Sequence, residues 1–374
     1  MWKKSLVGIF GMVLMLSSCT IHIMPWSNNS ANNNTVSVVD VYVAGSYYDG
    51  TNNIAAVWKN GIKTDLSDAD STANSVYVSE GIVYVAGYSW GDSSTNTATI
   101  WIGDGNSFSK VELPAPVIDA VANSVYVSNG IVYVAGSYED KSAYTIAAIW
   151  VGKGSSFNKT DLTTTGASST AKSIYVSNGR VYVTGRDSSH VAVDNAAVWV
   201  GDGTSFEETK LSVAGYTGTF ASSIYVSDSR IYVTGLCTAN KNSSSVVVWV
   251  SSDDGSFNAT DLNASVANST THSIYVSNGN IYVAGQLGWK NSGTASVWVS
   301  SDNGDFNITD LPDAGSGSRA SSIYVSNDSV YVAGRYYNGT NYVATVWKDG
   351  VKLYDLLAIT DNDTDASSIY VDVH

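Results

Sequence analysis

Tyr126-Val127-Ser128-Asn129-Gly130-Ile131-Val132-Tyr133-Val134-Ala135-Gly136 is the stretch from which the fold can be read. Asn-Gly is the preferred pair for a type I′ turn, in which both residues take positive φ, and a two-residue turn here sets Tyr126 opposite Tyr133. The flanking residues are Val, Ile and Tyr, which suit strands. The hairpin returns around Asn178-Gly179 and Asn278-Gly279, while Glu80-Gly81, Asp228-Ser229 and Asn327-Asp328 hold the equivalent places with weaker turn chemistry. Each cross-strand tyrosine pair is expected to contribute about 0.2–1 kcal/mol.

The hairpin is half of a longer repeat. After each V-Y-V-A/T-G comes a tryptophan in an apolar run, at Trp58, Trp101, Trp150, Trp199, Trp249, Trp298 and Trp347, spaced by 49 or 50 residues from Trp101 onward. A fourth element ends near Leu66, Leu113, Leu162, Leu211, Leu262, Leu311 and Leu356, usually as T-D-L. Four short strand-like elements, each bounded by Gly, Asn, Asp or Ser and each present seven times, predict an all-β chain of four-stranded antiparallel sheets. In Ala147-Ala148-Ile149-Trp150-Val151 both alternating faces are apolar, so each sheet must be covered on both sides. That fits a seven-bladed β-propeller, whose blades sandwich one another. A β-helix is the competing architecture, although it would show shorter periods and parallel ladders.

Closure follows from counting. The first repeat opens on Val41-Tyr42-Val43, a second element, and the last is followed by an orphan first element, Ser368-Ile369-Tyr370-Val371. The C-terminal strand is therefore expected to complete the N-terminal blade and leave no blade incomplete. Thr35-Val36-Ser37 is a second candidate for the same place.

Composition bounds the partners. Among 374 residues, 33 are acidic and 19 are Lys or Arg, a net charge of -14, which speaks against nucleic acid. Hydrophobic residues make up 44% of the chain, too many for disorder. The two cysteines, Cys19 and Cys237, form neither a disulfide framework nor a metal spacing.

The N-terminus reads as an address. Lys3 and Lys4, the apolar run Leu6 to Leu16 and the small residues after it form a signal, residues 1–18. Leu16-Ser17-Ser18-Cys19 resembles the lipobox of bacterial lipoproteins, which implies cleavage before Cys19 and lipid on its sulfur. Residues 19–35 are Asn- and Ser-rich and read as a flexible tether, with the propeller over 36–374. Thr20 in place of Asp implies, in a Gram-negative cell, passage to the outer membrane.

Across residues 36–374 the chain resembles bacterial lipoproteins and secreted proteins built of tandem propeller repeats. It lacks the signatures of WD40 and kelch blades. Ser251-Ser252-Asp253-Asp254-Gly255-Ser256-Phe257 and Ser300-Ser301-Asp302-Asn303-Gly304-Asp305-Phe306 are similar to the Asp-box of sialidase-like propellers, with Phe one residue earlier than that motif's Trp. In that family the box is a structural turn between third and fourth strands, so the resemblance bears on fold.

Chain direction sorts the loops. First-to-second and third-to-fourth turns share one face and are short and uniform. The other loops vary and carry Tyr47, Tyr48, Trp90, Tyr138, Tyr144, Arg186, His190, Trp289, Lys290, Arg319, Arg335, Tyr336 and Tyr337. Variable aromatic loops on a repeat scaffold are where a ligand is expected. A second set is position x of A-x-S-I-Y, held by Asn74, Asn123, Lys172, Ser222, His272, Ser321 and Ser367, which should ring one mouth of the central channel. The ligand contacts expected from both sets are Asn74, Trp90, Asn123, Tyr138, Lys172, Arg186, His272, Trp289, Arg335 and Tyr336. Asp361, Asp363 and Asp365 have the D-x-D-x-D start of a calcium loop without the glycine or helices of an EF-hand. The resulting expectation is a monomeric, envelope-anchored, non-catalytic module for a glycan or protein, with no cofactor and a membrane contact through its lipid. The alternatives are a polysaccharide lyase or glycosidase and a purely structural envelope protein.

Overall fold

The computed structural model describes residues 37–90, 95–115, 118–163, 168–188, 194–240, 243–262, 268–288, 292–301, 305–312, 317–358 and 362–374. The chain divides into two units, Met1–Ser37 and Val38–His374. The second is a seven-bladed β-propeller in which every blade is a four-stranded antiparallel sheet. Blades 2 to 7 take four consecutive strands each, whereas blade 1 is built of Val39–Tyr48, Asn53–Lys59 and Ile62–Asp65 with the C-terminal strand Thr364–Val373 in the innermost place. The C-terminal strand thus closes the ring. Its register pairs Tyr370 with Tyr42, and Val38 and His374 exchange two further backbone hydrogen bonds, so Val38 prolongs the second strand. The rival candidates Thr35 and Val36 lie outside the described residues.

The six hairpin turns have the expected geometry: Asn129 and Gly130 sit at φ 52° and 71°, and Asp228 and Ser229 at 49° and 64°. A serine in the second left-handed position is strained by its Cβ, so Ser229→Gly is expected to stabilise the protein by about 0.5–1 kcal/mol in chemical denaturation. An unchanged or lower midpoint would count against this turn assignment.

All seven repeat tryptophans are completely buried. Each packs against the preceding blade, as Trp58 does against Tyr331, Val346 and Leu356 of blade 7. In four blades the indole N–H also donates across the gap, to the carbonyl just beyond the leucine of the preceding fourth strand: Trp58 to Leu357, Trp150 to Pro114, Trp249 to Ser212 and Trp347 to Pro312, at 2.7–3.4 Å. Phe257 and Phe306 of the Asp-box-like turns pack partly buried against such cores.

The innermost strands hold two further closed rings. Tyr77, Tyr126, Tyr175, Tyr225, Tyr275, Tyr324 and Tyr370 meet neighbour to neighbour around the axis with centroids 4.6–4.9 Å apart. The expected register is present in every blade, as in Tyr126 opposite Tyr133. The ring contacts, however, run between blades and not across the hairpin, so their stabilisation belongs to assembly of the ring. The second ring is made by the serine of A-x-S-I-Y, whose Oγ accepts the backbone N–H of the residue after the equivalent serine in the next blade. The seven bonds run from Val125 N–H to Ser75 round to Val76 N–H to Ser368, at 3.1–3.3 Å.

These bonds depend on a β-bulge that alternation alone does not announce. In every innermost strand the ladder skips position x, so Asn74, Asn123, Lys172, Ser222, His272, Ser321 and Ser367 are the bulged residues. Opposite each stands the glycine of V-Y-V-A/T-G. A Cβ there would come within 1.9–2.1 Å of a backbone carbonyl oxygen of the bulged strand, for example Thr170 O at Gly185. The glycines are fixed by this close approach of two backbones. Cys237 is fully buried, and burial pushes its thiol up to about 11.

Candidate functional site

One face of the propeller carries the bulges and the second-to-third and fourth-to-first connections. Its axial floor is the tyrosine ring, which with Val76 and Ile369 lines a hole of about 170 Å³. Burial raises the phenol pKa of Tyr77, Tyr126, Tyr225, Tyr275, Tyr324 and Tyr370, which therefore stay neutral hydroxyl groups into strongly alkaline solution.

Above that floor the seven bulged residues divide by chemistry. The Asn74 amide donates to Ala122 O at 3.0 Å and the Asn123 amide to Ala171 O at 2.8 Å, each reaching the next blade. Both asparagines thereby have a structural task. Lys172 differs: its side chain is in contact with water and has no hydrogen-bond or ion-pair partner among the described residues. The channel walls around it, and then the Arg186 charge beside it, push its pKa below the ordinary lysine value. Arg186 itself reaches Asp194 only at 3.6 Å.

His272 stands in a cavity of about 270 Å³ shared with Asn268, Thr270, Gln286, Arg319 and Arg335. Burial, then the Arg319 and Arg335 charges, pushes its imidazole down to about 3, so it is neutral at physiological pH, with Nε2 3.3 Å from Thr270 Oγ1. Arg319 and Arg335 are cross-strand partners in blade 7. Arg319 makes two 2.9 Å hydrogen bonds to Asp365, Arg335 adds one at 3.1 Å, and the Arg335 guanidinium lies 4.3 Å over the Tyr342 ring. Asp365, proposed for calcium from its spacing, is thus occupied by two arginines, and Asp363 accepts the Tyr342 N–H at 2.8 Å. Asp361 lies outside the described residues, among which no cluster of three or more His, Cys, Asp or Glu side chains is arranged for a metal ion.

The loop residues divide too. Tyr138 is buried under Lys159, whose ammonium sits 4.2 Å from the ring centroid, and its hydroxyl lies 3.2 Å from Asp161. Tyr336 repeats this with Lys352 at 4.4 Å and Asp355 at 3.1 Å. Tyr47 stacks under Lys63 in the same way. These tyrosines complete the outer rim of their blades. Trp90, Tyr48, Tyr144 and Tyr337 are the exposed ones, at 46%, 41%, 40% and 43%. All four lie on this face, while among the described residues the exposed large aliphatic ones, Leu357 apart, lie at the opposite turns or on outer edges. Trp289, Lys290 and His190 fall outside the described residues.

A second cavity on this face, about 300 Å³, is lined by Asn338, Thr340, Asn341, Val343, Leu357, Ala358, Asn362 and Thr364. The opposite face has an open groove of about 460 Å³ between blades 4 and 5, with Arg180, Arg230, Glu207, Asp228 and Asp253 along it. It is larger, but it carries charges of both signs, and its aromatic side chains, Tyr182 and Phe257, are half-buried.

No family model matches the chain, and no curated protein does. Solved structures do. A putative 6-phosphogluconolactonase from Bacteroides uniformis is similar at a TM-score of 0.52 and 13% identity, over 89% of this chain and 99% of that one. The β-propeller domain of the Trilobed protease from Pyrococcus furiosus, described as having an open velcro topology, is similar at 0.50 and 11%, over 86% and 95%. A Trypanosoma rangeli sialidase is similar at 0.48 and 12%, over 83% and 56%. At such identities the likeness is one of fold, and this chain is a member of the propeller architecture with a ring closed by its C-terminal strand.

Proposed function

We propose that the protein is a non-catalytic binding module, held at the bacterial envelope by lipid on Cys19, that recognises a glycan or protein through the face carrying the bulges. The observation that supports this most is the segregation of exposed side chains. Flat aromatic rings gather on one face beside two cavities, and such rings give sugars and peptides apolar contact at low entropic cost. The enzymatic alternative, a lyase or glycosidase, calls for a pair of carboxyl groups facing the ligand. On this face Asp365 is held by two arginines and Asp194 lies against Arg186.

The test is a binding screen of the soluble chain from about Asn32 onward against glycan and envelope-protein arrays. Trp90→Ala is expected to weaken the selected ligand about fivefold or more with an unchanged melting temperature. No binder on either array, or a binder indifferent to Trp90, would count against the reading. Anchoring is tested separately: labelled palmitate should enter the wild type and not Cys19→Ala, and equal labelling of the two would remove the lipoprotein reading.

A further inference from the structure

We infer that the ligand is an anionic glycan and that Lys172 together with Arg186, in the blade 4 sector of the channel mouth, binds its acidic group; this rests on the proposal that this face is the binding face. In a chain of net charge -14, Lys172, Arg186, Arg319 and Arg335 stand around one mouth. Arg319 and Arg335 share one carboxylate, Asp365, to which they bond at 2.9–3.1 Å, so each is paired although one positive charge is left over. Blade 4 is different in one respect: its Arg186 is paired with Asp194, at 3.6 Å, but Lys172 has no partner among the described residues.

The position of Lys172 is fixed by the fold. The bulge removes it from the ladder between Ala171 and Ser173 and turns it out of the sheet, while Thr170 pairs with Arg186. Lys172 and Arg186 stand on the two paired strands of one hairpin, where like charges repel, and an anion between them relieves that repulsion while accepting hydrogen bonds from both. Arg186 offers a planar fork that suits a carboxylate, and Lys172 offers a mobile ammonium.

The surroundings favour a sugar over a polypeptide. The mouth is walled by Ser222, Ser321, Ser367 and the tyrosine floor, and among the described residues of this face the exposed large apolar side chains are aromatic apart from Leu357. Among the described residues, such a surface offers a peptide few aliphatic anchors, whereas flat rings suit a sugar.

The full chain in detergent solution should therefore bind polygalacturonate, and bind its methyl ester, which has the same backbone without the charge, at least about tenfold more weakly. Lys172→Met should bring polygalacturonate down to the level of the ester, and Ser222→Lys, which adds a cation in the next blade, should raise affinity. Melting curves of both variants should match the wild type, since position x is outside the ladder. Equal binding of acid and ester, indifference to Lys172→Met, or preference for polyglutamate would overturn the inference. An array ligand that needs Trp90 but ignores Lys172 would overturn it while leaving the binding face intact, and absence of any ligand would remove both.

Discussion

Deleting residues 366–374 is expected to lower the melting temperature sharply and to make the protein associate. The segment supplies Ala366, Ile369 and Val371 to the core of blade 1, and burial of such side chains is worth about 1.5–3 kcal/mol for each of the two larger ones. It also carries Tyr370 of the tyrosine ring, the Ile369 N–H that donates to Ser322 and the Ser368 hydroxyl that accepts from Val76. Without it the strand Val39–Tyr48 becomes an unpaired edge beside blade 7, a template for pairing with another chain. The expected loss is about 5 kcal/mol or more. Calorimetry with size-exclusion chromatography reads both effects, and an unchanged melting temperature with a monomeric profile would mean that residues ahead of Val38 already fill the place.

A smaller but still large loss is expected from one methyl group. In Gly136→Ala the new Cβ would lie 2.0 Å from Val121 O and 3.0 Å from Trp150, against backbone on one side and a fully buried indole on the other. Neither neighbour is the free end of a flexible side chain, so the bulged strand must move and with it the bond from Val125 N–H to Ser75 Oγ. Overpacking of this kind costs about 3 kcal/mol. The glycine is not needed for its φ, which distinguishes it from Gly130, where φ is 71° and alanine would be strained by its backbone, with only the Lys153 side chain nearby. Equal, small effects of Gly136→Ala and Gly130→Ala would show that the close approach is not limiting.

Much of the fold was legible because each strand repeats seven times, so a turn read once at Asn129-Gly130 could be checked at five other places. The hairpin registers, the four-strand blades and the closing strand all followed from spacing. The bulge did not. Its signal was nonetheless present: in Ala73-Asn74-Ser75-Val76 two buried residues are separated by two polar ones, which breaks the period of two, and a glycine stands opposite every time. Reading Asn74 and Asn123 as ligand contacts missed that a bulged side chain at an inner strand can reach the next blade's backbone. The tyrosines were assigned to the hairpin because register gives only neighbours within a sheet, and contacts between sheets depend on how blades face each other. For Tyr138 and Tyr336, loop position suggested exposure, but lysines from the fourth strand cover their rings.

A ligand bound by the face with the bulges should leave a footprint there in amide hydrogen exchange, measured with and without the ligand selected on the arrays. Protection is expected in the segments around Trp90, Lys172 and Arg186, with the turns at Asn178-Gly179 and Asp228-Ser229 unchanged. Protection confined to those turns and to the groove of Arg180 and Arg230 would place the ligand on the opposite face and contradict the account.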